Sequence, residues 1–428
     1  MNYHLKVFVI FSVLLSACAS MVTTSSSSDE SEIYSDQDFS EQVGYAQLLP
    51  ASNYDPATFT PVIELRSQER LLLNFDLLEE NYRFLTAKII QCDADWTASS
   101  LRDIEYLNEY NEFPINNYVF SESNFTPFVS YTFPIPRVSK SGNYVVAIYD
   151  DDSDELLFTR RFLVYEKASG IDHTLTISSG ISDRNKSHQV EFAINYGNLK
   201  LVNPLADISV VLLQNHNWNL AIDDLEPTDI RTENSMLEYR HFNLENNFFG
   251  LNEFRFFDIR VLSSRGNRIR RITTSTRGIE AFVQEDPNRE TDIYKEPLME
   301  DLNGGFYLRN MDINESQLQS DYVWVNFELD SRPVPGDLYV AGRFNNWELN
   351  AANRMIYDPT SESYKGEVYL KQGYYNYMYF LRSEDLPHHK FEGTHFQTRN
   401  FYEILVYYRE PGTIYDRLVG YRPFLSGD

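Results

Sequence analysis

Residues 141–167 read SGNYVVAIYDDDSDELLFTRRFLVYEK, and this stretch limits the fold more than any other. Tyr144, Val146 and Ile148 fall on one face of an extended chain. The polar run 150–155 makes a turn, and Leu156, Phe158, Phe162 and Val164 line a face of the return strand, with Arg160 as the exception. A period of two on both sides of a short polar turn specifies a β-hairpin. Other segments carry the same signal, among them NYRFLTAKIIQC, QVEFAINYG, ISVVLLQN and YKGEVYLKQGYYNYMYFLR. Tyr (30 residues) and Phe (29) favour strands, so the expected class is all-β, built as tandem immunoglobulin-like or early-set β-sandwiches.

A chain of 428 residues exceeds one typical core. Strand and turn signals divide it into a first sandwich at 56–168, a middle sandwich at 170–320 and a C-terminal sandwich at 321–428. Residues 18–55, with the run TTSSSSDESEIYSDQDFSEQ, are too polar and acidic to offset their ordering entropy and read as a tether.

The opening MNYHLKVFVIFSVLLSACAS has a short positive start at Lys6 and an apolar run too short to span a bilayer. Leu15-Ser16-Ala17-Cys18 resembles the bacterial lipobox, in which cleavage before the cysteine leaves a thiol that takes lipid. Residues 1–17 then read as a lipoprotein signal peptide and Cys18 as the lipidation site, so the mature chain is expected to be anchored to a membrane by the lipid on Cys18. With Cys18 acylated, Cys92 has no partner for a disulfide and no companions for a zinc site.

A formal charge of −26 excludes nucleic acid as a natural partner, since phosphate binding needs a cationic face. The basic stretch RGNRIRRITTSTR, 265–277, interrupts this acidity. It reads first as a strand pair whose arginines meet surface carboxylates, and second as a contact stripe for an acidic partner.

CDADW, 92–96, has the look of a site. A calcium loop counted from Asp93 needs Gly at its sixth position and Glu at its twelfth, where Ala98 and Ile104 stand. Asp93 and Asp95 would raise the Cys92 pKa rather than activate the thiol. The architectural reading has Cys92 closing a strand, Asp93 or Asp95 accepting backbone N–H groups in a turn, and Trp96 covering the end of the sandwich. Ser100 to Asp103 fits a helix cap, with Leu101, Ile104 and Leu107 turned inward. HHKFEGTH, 388–395, is the one histidine cluster and reads as an exposed loop, with metal binding as the alternative. The chain has no GxSxG, P-loop, GxGxxG or HExxH motif, so no enzyme activity and no cofactor are expected.

CDADWTASSL, EYLNEY, YTFPIP, SGNYVVAIYD and TRRFLVYE, followed by NEFRFFDIR, DLNGGF, FEGTHFQTRNFYEILVYY and DRLVGY, occur in an order that resembles the plug protein of the type IX secretion system of Bacteroidetes. The resemblance implies a non-enzymatic, periplasm-facing β protein that closes an outer-membrane translocon barrel. It makes that barrel the expected partner and gives Cys92, Asp93, Asp95 and Trp96 a structural role. The implied location is the outer membrane on its periplasmic side, although surface lipoproteins use the same anchor. YVAGRFNNWELNAANRM and YKGEVYLKQGYYNYMYFL are similar to glycogen-binding modules, with Trp347 at the first sugar-stacking position. The second tryptophan of that pattern is replaced by RSEDLPHHKFEG. The likeness is therefore read as fold, with glycan binding through Trp347 as the alternative function.

Overall fold

The structure is a computed structural model that describes residues 32–122, 124–197, 199–297, 299–313 and 317–427. The signal peptide, Cys18 and the start of the tether lie outside the described residues.

The hairpin forms as the alternation requires. Strands Gly142–Asp150 and Leu156–Tyr165 pair antiparallel, with Tyr144 opposite Phe162 and Ile148 opposite Phe158. Leu85–Cys92 pairs with the other edge of Gly142–Asp150, and the short strands Gln37–Asp38, Val62–Glu64 and Phe113–Pro114 complete a six-stranded sheet. A four-stranded sheet of Val43–Pro50, Leu71–Leu77, Val129–Pro134 and Tyr118–Phe120 packs over it. Leu73, Phe75, Tyr131, Ile89, Tyr144, Val146 and Phe158 fill the space between. Phe75 stacks on Tyr131 at 4.9 Å, a geometry worth a little beyond the area that the rings bury.

This first domain begins earlier than expected. Val43–Pro50 pairs along its length with Leu71–Leu77 and buries Leu48, so the part of the expected tether from Gln37 onward belongs to the sandwich. The exception at Arg160 also has a cause. Its guanidinium is buried, donates to the carbonyls of Ala46 and Gln37, and pairs with Asp38 at 2.6 Å, all on that same early segment. A strand with an inward arginine therefore needs the 37–50 segment over it.

The remaining boundaries differ from the expected 170–320 and 321–428. Gly170–Ile177, Ser187–Asn195, Met236–Tyr239, Asp229–Arg231 and Asn247–Phe249 form a five-stranded sheet. Its partner is a three-stranded sheet of Ile208–Gln214, Phe401–Tyr408 and Arg417–Leu425. The C-terminal strands thus complete the middle sandwich. Between them the chain makes a third sandwich around a ten-stranded sheet running from Arg255–Asp258 through Gly373–Arg382 to Ile269–Ser275. The third domain is inserted into the second. The physical reason is strand pairing: Ile208 lies opposite Tyr408 and Phe257 opposite Tyr375, and each pairing satisfies a backbone that would otherwise be an open edge.

The basic stretch follows its first reading. Arg268 pairs with Asp286, Arg270 with Glu328 and Arg277 with Glu367, while Arg271 lies over the Phe282 ring. The histidine cluster does not form an exposed loop. His389 is buried against Phe249, and His388 stacks on Phe380. No cluster of three metal-ligating side chains occurs among the described residues.

Burial pushes the pKa of His388 down to about 3 and that of His389 down to about 4, from an ordinary 6.5. Above pH 6.5 neither folded nor unfolded chain binds a proton at these rings, and they do not alter stability. As pH falls below 6.5 the unfolded chain takes up protons that the folded chain refuses, so stability drops until the folded pKa values are reached. The expected slope is at most about 1.4 kcal/mol per pH unit for each ring. Urea unfolding of His389→Gln between pH 7 and 5 should show a shallower loss than the parent. An unchanged slope would refute this assignment.

Candidate functional site at the domain joint

The CDADW segment closes strand Leu85–Cys92 and turns sharply. The Trp96 N–H donates to the Asp93 carbonyl at 3.0 Å, and Trp96 takes a left-handed φ of 63°. Asp95 accepts from the backbone and hydroxyl of Thr97 at 3.0 and 2.6 Å, as expected of an acidic turn. A short helix follows at Asp103–Tyr106. Leu107 is buried and Leu101 packs against the core as expected, but Ile104 is exposed and Tyr106 turns inward in its place, because only residues 103–106 are helical and 101 and 107 lie outside that turn.

Trp96 does not cover a free end of the sandwich. It is 8 % exposed and packs edge-on to Trp218 of the second domain, at 5.0 Å and 89°. The Arg161 guanidinium lies over its ring at 4.2 Å. Cys92 sits beside it against Leu213, Leu405 and Leu418 of the three-stranded sheet. Polar bonds surround this apolar patch. Asp93 pairs with Arg409 at 3.0 Å, and Arg409 holds Asp416 through two bonds of 2.7 Å. Asp416 in turn accepts the Ala94 N–H at 3.0 Å. Asn143 donates to the Asp93 and Ala94 carbonyls and accepts from Tyr407 at 2.8 Å. The motif fastens the first domain to the second.

The Cys92 thiol is fully buried, and burial, with a smaller contribution from Asp93 and Asp95, pushes its pKa up to about 12. A thiol reagent at pH 8 should leave Cys92 unmodified in the folded chain from residue 19 onward and label it within minutes in denaturant. Rapid labelling of the folded protein would contradict this burial.

A second fastening joins the first domain to the third. Asp76 and Lys371 form an ion pair at 2.6 Å with side chains 1 % and 2 % exposed, and Tyr322 donates to the same Asp76 oxygen at 2.8 Å. The Lys371 ammonium also lies 4.0 Å from the Phe128 ring centre. Arg343 donates to the carbonyls of Pro56 and Phe59, and Thr60 bonds Tyr421 at 2.9 Å. Three domains therefore meet around the 54–61 loop, and a cavity of about 430 Å³ lies between them.

Trp347, the expected sugar platform, is 3 % exposed and packs among Phe254, Met378 and Phe380. Its ring also lies against Gly304, which has φ +76°; a Cβ there would sit 2.7 Å from the indole. Buried in this way, the ring offers no solvent-facing platform for a sugar, and the glycan-contact expectation is corrected to a core role.

Sequence reasoning missed Asp76, Lys371, Arg161, Arg343, Arg409 and Asp416. Each is an ordinary charged residue in its local segment. Lys371, at the end of an apolar strand, and Arg161, next to the irregular Arg160, carried the one weak signal available.

Residues 47–166 match the family model described as type 9 secretion system plug protein 1st domain. The resemblance read from CDADW, YTFPIP and RRFLVY holds over that domain. The match points to a role in type IX secretion and to an association with the cell envelope. A crystal structure of a hypothetical protein from Parabacteroides merdae ATCC 43184 is similar along nearly the whole chain. It has a TM-score of 0.86 and 29 % identity, and the alignment covers 92 % of this chain and 99 % of that one. No curated protein matches.

Proposed function

With a plug-type first domain at residues 47–166 as the premise, we propose that this chain is the plug of a type IX translocon. It blocks the pore from the periplasmic side by occupying it, held near the outer membrane by lipid on Cys18. The observation that carries the reading is the family match to the first domain, together with the way that domain is fastened to the other two. A steric gate has to move as one body, and two buried interdomain joints favour that. It acts by occlusion and requires no catalytic group.

Reversible docking also needs an exposed apolar face. Tyr82, Phe84 and Phe120 are 42–59 % exposed and are linked through Tyr118, on which Tyr82 stacks at 4.8 Å. They lie where the edge strand Tyr118–Phe120 of the first domain meets solvent. We assign this face to the translocon barrel.

The test is affinity isolation of the lipidated chain from detergent-solubilised outer membranes. The large translocon barrel should co-purify, and Phe84→Ser with Phe120→Ser should reduce its recovery severalfold without lowering stability. Recovery no better than with an unrelated outer-membrane lipoprotein would end the plug reading. Recovery unaffected by the double variant would move the docking face elsewhere.

A further inference from the structure

The cavity at the joint has an unusual charge arrangement. Leu48, Tyr54, Phe59 and Leu349 contribute apolar wall, and Arg161 and Arg343 contribute two guanidinium groups. Other enclosed arginines in this protein have carboxylate partners: Arg160 pairs with Asp38, and Arg255 with Asp286 and Glu392. Arg161 and Arg343 make no ion pair of this kind among the described residues; their nearest carboxylates, Asp36 for Arg161 and Glu403 and Asp55 for Arg343, act on them without a direct side-chain bond. Arg343 donates only to the neutral carbonyls of Phe59, at 3.0 and 3.1 Å, and of Pro56, at 2.7 Å. The Arg161 Nε donates to the Tyr34 carbonyl, and its guanidinium is flanked by the Trp96 and Trp218 rings. A guanidinium withdrawn from water without a counterion is costly.

Two acids also line the cavity. Asp36 accepts the backbone N–H of Arg161 at 2.7 Å and partly offsets the charge of its guanidinium. Burial, reinforced by Asp38, raises the Glu348 pKa to about 8, so its carboxyl is largely protonated at neutral pH and does not balance the arginines. Two guanidinium groups that make no direct ion pair thus stand beside apolar wall, and the cavity volume falls in the range of roughly 300–1,000 Å³ typical of small-molecule sites.

We propose that this cavity binds a small organic carboxylate with an apolar body. Arg343 and Arg161 hold the carboxylate, and Tyr54, Phe59 and Leu349 contact the body. Guanidinium forks match carboxylates in shape and charge. The walls come from all three domains, so the site exists only when the joint is assembled and its ligand stabilises the assembled form. The assignment is independent of the export role.

The test uses the unlipidated chain from residue 19 with phenylacetate, indole-3-acetate and hexanoate, and with phenylacetamide and inorganic phosphate as controls. At least one carboxylate should raise the melting temperature in a concentration-dependent way. It should also change the tryptophan fluorescence, because Trp218 and Trp347 line the cavity. Arg343→Gln should weaken that binding by at least about tenfold, the loss of a charge-assisted bond. Leu349→Trp, which fills the cavity, should abolish binding in a folded protein and serves as the second variant if Arg343→Gln unfolds. The proposal is overturned by any of three results: no carboxylate binds, phenylacetamide or phosphate binds as well as the carboxylates, or binding survives Leu349→Trp.

Discussion

Trp96→Ala should cost about 3–5 kcal/mol of unfolding free energy, the range for truncating a large buried aromatic. The ring is 8 % exposed and touches two domains, so its removal opens a cavity between them instead of inside one core. It also takes away the face under the Arg161 guanidinium and the edge contact with Trp218. Because the contact is between domains, the loss should appear in two measurements. Urea unfolding should shift to lower denaturant, and limited proteolysis should cleave the connection near residues 166–170 earlier than in the parent. Asp95→Ala, which removes only turn bonds to Thr97, should cost about 1 kcal/mol. A Trp96→Ala protein within about 0.5 kcal/mol of the parent, the usual range for neutral surface changes, would sink the joint assignment.

Lys371→Met should cost about 3–5 kcal/mol, because it leaves the Asp76 carboxylate buried without its cation. Asp76→Leu alone should cost a similar amount by stranding the ammonium. Burial already holds the Lys371 pKa below the usual lysine range despite the opposing pull of Asp76, and losing Asp76 would lower it further. The double variant, Asp76→Leu with Lys371→Met, should recover most of the loss, since two apolar side chains of similar volume carry no desolvation penalty. The Tyr322 hydroxyl, which donates to Asp76, would be the one group left unmatched. Denaturant unfolding of the two single variants and the double variant closes a thermodynamic cycle. Additive losses would show that the pair does not act as a unit.

The sequence by itself determined the all-β class, because alternation at 144–148 and 156–164 permits only extended strands, and pairing needs nothing beyond the adjacent segment. It also excluded an EF-hand calcium loop at CDADW, since that requires Gly and Glu at fixed local offsets, and its adjacent acids argued against a reactive thiol. The ordered motifs pointed to a plug-type domain over residues 56–168, and the family model matches residues 47–166. What CDADW touches was decided by the tertiary structure. Trp96 meets Trp218, and Asp93 meets Arg409, across more than a hundred residues of chain, and local pattern carries no information at that distance. The insertion of the third domain into the second was hidden for the same reason: the pairing of Phe401–Tyr408 with Ile208–Gln214 is a choice among many compatible strands. Burial decided Trp347 in the same way. Its place in the sugar-binding pattern is local, but whether a ring faces solvent or Gly304 depends on the strands that close over it.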